Sequence, residues 1–158
     1  MNVGEADIQA LLAEHCPLYQ HIGLVVESAR DGIYRCHVPL DASNGNHLGT
    51  VHAAIQWAAA EMLGALVVLS AFGPEQLGQL YAAVKSASIE FIRPARTSIT
   101  AEAFLGLEEN ERMVGVVAAG GEARFGLLAN VRSTSGETLA TLRAEYVVRR
   151  RRPAAPTG

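Results

Sequence analysis

Cysteine is nearly absent: Cys16 and Cys36 stand far apart, with no CxxC pair and no regular spacing. That argues against a disulfide framework and a thiolate zinc site, and it fits a reducing, cytoplasmic setting. Positive charge is also short. Lys and Arg total 13 against 16 Asp and Glu, a formal charge of -3, so the chain lacks the basic field that a nucleic-acid partner would need. The stretch MNVGEADIQALLAEHCP carries acids and no basic n-region, and so does not read as a secretory signal. With 158 residues, 49% of them hydrophobic, one compact domain with a real core is expected over residues 1–148. The run Arg149 to Arg152, followed by PAAPTG, reads as a solvated basic tail over 149–158.

Hydrophobic periodicity orders the rest. Ile8, Leu11 and Leu12 at helical spacing predict a short amphipathic helix from Asp7 to His15, stopped by Pro17. Two β-rich runs, Ile22 to Glu27 and Ile33 to Leu40, flank the turn signal Arg30-Asp31-Gly32 and predict a hairpin. A loop dense in turn formers, Asp41 to Thr50, leads into an apolar run from Val51 to Phe72 that Gly73-Pro74 ends. Alternation then predicts strands at Ala82 to Arg93, Ser98 to Leu105, Phe125 to Ser133 and Leu139 to Val148, the last two joined at Ser135-Gly136. Leu107 to Gly121 fits either a short helix or a long hairpin connection. Strands follow one another without βαβ alternation, so the class is α+β with an antiparallel sheet. One helix this apolar is hidden only if the sheet curls around it and a second copy covers what remains, which predicts a homodimer or a dimer of dimers.

The run VHAAIQWAAAEMLGALVVLSAF is long enough to cross a bilayer, for which roughly 20 apolar residues suffice. A membrane span is nevertheless not expected, because His52, Gln56 and Glu61 interrupt it and no cationic flank follows. Glu61 is its single carboxylate. Moved from water into such a helix, an unpaired carboxylate is costly, and burial raises its pKa towards the range where it serves as general base or acid. Facing a polar strip, pairing with an arginine across a subunit contact, or simply being solvated are the other roles open to it.

The segment NGNHLGTVHAAIQWAAAE gathers Asn46, His47, His52 and Glu61. If the helix begins near Val51, the N–H groups of His52 and Ala53 are unpaired first-turn donors that can polarise a carbonyl, an oxyanion hole in outline. Glu61 lies more than two turns further along. A two-fold partner could bring its own Glu61 to this N-terminus and complete a composite site. No metal is expected, since His47 and His52 lack a third ligand at usable spacing.

With Asn46, His52 and Glu61 at these spacings, and with KSASIEFIRPAR ending in a proline after alternating apolar residues, the chain resembles the hotdog-fold acyl-CoA thioesterases of the phenylacetyl-CoA and 4-hydroxybenzoyl-CoA thioesterase-like branch. The resemblance implies an antiparallel sheet wrapped around one long central helix, and hydrolysis of an acyl-CoA thioester without a cofactor. It implies Glu61 as general base or nucleophile, Asn46 orienting water or carbonyl, and amides at His52 and Ala53 as the oxyanion hole. The family's two glycines after the histidine are Ala53 and Ala54 here, and Ser86 is a nearby third-strand hydroxyl. Arg93 and Arg96, flanking Pro94, are candidates for the CoA phosphates.

Two other readings stand beside hydrolysis. Hotdog dehydratases and hydratases of 3-hydroxyacyl thioesters pair a loop histidine with a helix glutamate, and His47 and Glu61 have that separation, although the loop lacks Phe-Pro after the histidine. A non-catalytic acyl-CoA-binding domain is the third.

Overall fold

The computed structural model describes residues 4–152. Two helices open the chain, α1 over Glu5–His15 and α2 over Pro17–His21. Pro17 does not merely stop α1. It occupies the first turn of α2, where its fixed φ suits a helix and its missing N–H costs nothing.

The strands are β1 over Val25–Arg30, β2 over Ile33–Val38, β3 over Leu80–Phe91, β4 over Ile99–Phe104, β5 over Ala123–Ser133 and β6 over Thr138–Arg150. They form one six-stranded sheet in the order β1-β2-β4-β5-β6-β3, and every pair is antiparallel. The predicted first hairpin is present: Arg30 pairs with Ile33 across Asp31 and Gly32, both at positive φ (55° and 75°), as a two-residue turn that follows the strand twist requires.

Between β2 and β3 runs the long helix α3, Ala53–Phe72. It begins two residues later than the apolar run because the Val51 N–H is taken by the Ala95 carbonyl at 2.8 Å. A short 3-10 helix over Pro74–Gln79 leads from α3 to β3. All six strands touch α3, and alternate residues such as Cys36, Ala101, Leu127 and Leu142 bury their side chains beneath it. By length and composition α3 could cross a membrane, but 67% of its most apolar stretch is buried inside this fold, which marks it as a core helix.

The segment that sequence left open is a helix, α4 over Leu107–Ala118. Met113 and Val117 bury one stripe of it, while Glu108, Glu109 and Glu111 face outward.

The two sheet edges differ. At the start of β1, Gln9 of α1 takes two edge backbone groups: its Nε2 donates to the Leu24 carbonyl (3.0 Å) and its Oε1 accepts from the Val26 N–H (2.7 Å). The other edge, β3, is exposed along most of its twelve residues. Residue Lys85 is a β-bulge there, the register passing from Val84–Tyr146 to Ser86–Glu145.

The predicted solvated tail is corrected at its start. Arg149 and Arg150 extend β6, paired with Tyr81 and Leu80, and the Arg149 guanidinium lies 4.4 Å from the Tyr81 ring centroid. Backbone pairing with a long β3 outweighs the cost of bringing these charges together. Arg151 still donates its N–H to Gln79 O at 2.8 Å; the rest of that stretch, 153–158, lies outside the described residues.

Gly64 sets the closeness of α3 to β6. A Cβ there would fall on the ring of Tyr146, which itself stacks on Phe125 at 5.1 Å and 11°. Gly64→Ala is expected to destabilise the fold by about 1–3 kcal/mol, the usual cost of overpacking, seen as a lower urea midpoint at unchanged m-value. An unchanged midpoint would mean that Tyr146 yields freely.

Candidate active site

The loop Asp41 to Thr50 is built around two asparagines. Asn44 is fully buried and its Nδ2 donates to the carbonyls of Ile22 and Pro39, both at 2.8 Å. Asn46 Oδ1 accepts from Leu48 N (2.9 Å), Thr50 N (3.2 Å) and Thr50 Oγ1 (3.1 Å). Its oxygen is thus spent on folding the loop, and only its Nδ2 group is left to meet a ligand.

This loop presents the start of α3. His52 is the N-cap, and its Nδ1 accepts the Ala54 N–H at 3.0 Å. The expected pair of free amides is corrected. The His52 N–H donates to the Asn44 carbonyl at 2.8 Å, so Ala53 alone, among the described first-turn residues, keeps an N–H without a protein acceptor. His47 is exposed on the loop.

A cavity of about 430 Å³ opens at this helix end, walled by Asn46, Ala53, Gln56, Phe91, Arg93 and Arg96 among others. Four residues predicted from sequence therefore meet in one place: Asn46, Ala53, Arg93 and Arg96. Arg93 is also paired with Glu137 at 3.0 Å, an exposed bridge of small energetic weight. Gln56 was missed. It is only 5% exposed, its Nε2 donates to the Val51 carbonyl at 3.1 Å, and its Oε1 is buried without a partner among the described residues. The sequence signal was present, an amide within a run otherwise apolar.

Ser86 does not join the group. The bulge at Lys85 reverses the alternation, so Val84 faces α3 while Ser86, opposite Glu145, lines an open depression on the other face with Ser88, Gly126, Leu128 and Arg143.

Glu61 lies eight residues beyond Ala53 on α3, about 12 Å along the axis at 1.5 Å per residue, and it does not wall this cavity. Its carboxylate is half-buried. Tyr19 of α2 donates its hydroxyl to Glu61 Oε2 at 3.2 Å, and Tyr146 of β6 donates to the Glu61 backbone carbonyl at 2.8 Å. Burial raises the Glu61 pKa above the ordinary carboxylate value, and the Tyr19 hydrogen bond works in the opposite direction. The same charge, second to burial, raises the pKa of the Tyr19 phenol, the Tyr146 phenol and the Cys16 thiol. Among the described residues, no arginine or lysine pairs with it. Among the described residues, no group of three or more His, Cys, Asp or Glu is placed to hold a metal ion.

A long helix held in the concavity of an antiparallel sheet defines this molecule as a hotdog fold. The family model described as domain of unknown function DUF4442 matches residues 4–148, and the chain belongs to that family. Among solved structures it is similar to a Pseudomonas aeruginosa protein of unknown function described as a "probable thioesterase", at 28% identity and TM-score 0.81, over 96% of this chain and 99% of the other. A Haemophilus influenzae thioesterase superposes with TM-score 0.73 at 15% identity, over 95% of this chain and 93% of its own. The Escherichia coli PaaI protein, from the phenylacetic acid degradation operon, gives 0.64 at 16% identity, over 87% and 88%. The search of curated proteins gives no match.

The raised Glu61 pKa has a consequence for stability. A carboxyl whose folded pKa lies above its unfolded value adds stability below the unfolded pKa, and that contribution is lost as pH rises through the folded pKa. Glu61→Gln removes the buried charge at near-constant shape. Its thermal midpoint should exceed that of the parent by about 2–4 °C at pH 8, a shift typical of modest stabilisation in a chain of this size, and match it at pH 4. Equal midpoints at both pH values would contradict this.

Proposed function

We propose that the protein hydrolyses acyl-CoA thioesters, with Glu61 as the general base towards water. The observation that carries this reading is a half-buried carboxylate of raised pKa on the central helix of a hotdog fold, with no cation among the described residues to neutralise it. Thioesterases among the structural neighbours support hydrolysis as the general chemistry.

In this mechanism the thioester carbonyl sits at the start of α3, where the Ala53 N–H and the Asn46 Nδ2 donate to its oxygen. Each such donor in a preorganised site is worth about 3–4 kcal/mol in the transition state. Water adds to the carbonyl carbon as Glu61 takes its proton; the tetrahedral intermediate then collapses, the C–S bond breaks, and the proton passes to the departing CoA sulfur. Arg93 and Arg96 would receive the CoA phosphates at the cavity mouth. His52 acts by capping the helix and so aims the Ala53 amide.

Because Glu61 lies about 12 Å along α3 from Ala53, the site is composite and the base comes from a second copy. The open β3 edge is where that copy pairs. Its small residues Ala82, Ala83 and Ala87 permit close approach, while Gln9 occupies the start of the opposite edge. Two free cysteines, Cys16 and Cys36, fit a reducing cytoplasm.

Two measurements test this reading. Glu61→Gln should lower kcat for acyl-CoA hydrolysis by about 10²–10⁴-fold, the usual share of a general base, in a free-thiol release assay across an acyl-CoA panel; undiminished turnover would sink the mechanism. Ala87→Arg should run as a monomer by light scattering and lose at least about tenfold in kcat/KM, as expected when a charged group is forced into a close contact. A wild-type monomer with full activity would remove the composite site.

A further inference from the structure

The N-terminal pair α1 and α2 would be an accessory flap on the sheet edge if its only contacts were structural. One contact is not. Tyr19 reaches across from α2, 42 residues away in sequence, and is the one side chain among the described residues hydrogen-bonded to the Glu61 carboxylate, at 3.2 Å. Its backbone is fixed on both sides: the Tyr19 N–H donates to Cys16 O (3.0 Å), and the Tyr19 carbonyl accepts from Leu24 N (2.9 Å), which leads directly into β1. Pro17 at the first turn and the Ile22 N–H bond to Leu18 O (3.0 Å) complete the one-turn helix that holds the ring.

We propose that Tyr19 is the positioning residue for Glu61: α2 delivers its hydroxyl to Oε2, which stabilises the ionised carboxylate and leaves Oε1 to meet water. The inference rests on the reading of Glu61 as the base. The hydroxyl that sequence sought on β3 is supplied here by the N-terminal helix pair.

The titratable groups facing the carboxylate are few. Tyr19 comes from α2, Cys16 from the joint between α1 and α2, and Tyr146 from β6. The phenols and the thiol are neutral wherever the enzyme would work, each having its pKa raised, so they act on Glu61 as dipoles and by excluding water. Of the three, Tyr19 alone donates to the carboxylate itself; the Tyr146 hydroxyl is committed to the Glu61 backbone carbonyl. Loss of the Tyr19 hydroxyl therefore removes the bond that favours the charged form, and the Glu61 pKa must rise.

The test is carbon-13 titration of the glutamate side-chain carboxyls in the full chain, with Glu61→Gln assigning the resonance. In Tyr19→Phe the Glu61 signal should titrate at higher pH than in the parent. The acidic limb of kcat/KM should move in the same direction, with about a tenfold loss on the acid side, the scale of a hydrogen bond to a charged group, and little loss on the alkaline side. A Glu61 titration unmoved in folded Tyr19→Phe overturns the proposal. Absence of thioester hydrolysis by the wild-type protein would instead overturn the enzymatic reading, and the Glu61 titration would still decide whether Tyr19 sets the state of Glu61.

Discussion

Burying α3 is the constraint on which everything else depends. A twenty-residue helix that is apolar on nearly every side has no amphipathic solution, because no single flat surface can cover it. Six antiparallel strands meet the demand by curving, and each contributes alternate side chains to the concave face. Small residues let the surfaces close. Ala58, Ala59 and Ala60, pointing in different directions around the helix, are all buried, and Gly64, one turn beyond Ala60, admits the Tyr146 ring. Hydrophobic transfer drives this arrangement, and close packing determines how tightly it can be made.

Polar groups on such a helix are few, and each must be accounted for. Gln56 satisfies half of its amide on Val51 and leaves its Oε1 buried without a partner among the described residues. Glu61 has one phenol and, among the described residues, no counter-ion. At the helix start, His52 and the Asn44 carbonyl engage amides that would otherwise be orphaned, and among the described first-turn residues a single donor remains at Ala53. The site is thus defined as much by which groups are already occupied as by which groups are near. A family-like spacing of asparagine, histidine and glutamate does not itself say which of their atoms are free.

Much of the fold was legible in sequence, because its signals are local and periodic. Asp31-Gly32 specified the first turn, alternation marked the strands, and the apolar run with Gly73-Pro74 behind it gave α3 nearly to the residue. The departures share a cause: they depend on partners distant in the chain. Val51 read as helical until Ala95 took its N–H. Arg149 and Arg150 read as tail because four arginines in a row look solvated, yet β3 is long enough to pair with them. Pro17 read as a terminator when it is equally a helix opener. Of the candidate site, the sequence singled out Asn46, Ala53, Arg93 and Arg96, which line one cavity, and Glu61, which lies apart from it; Tyr19 it did not single out. Nothing near Tyr19 in sequence announces that Glu61 is its neighbour.

The bulge at Lys85 has a reach greater than its single residue. A strand assigns its side chains to two faces by counting, much as a reading frame assigns bases to codons, and one added residue shifts every assignment beyond it. Downstream of Lys85 the shift sends Ser86, Ser88 and Glu90 to the outer face and Ala87, Ile89 and Phe91 to the inner one. In the other frame the same sequence would aim a glutamate and two serines at the concave side and turn its apolar members to water. An insertion or deletion here is therefore not a local edit. The polarity of the free edge, and with it the kind of surface that edge can join, is set by whether one lysine is counted.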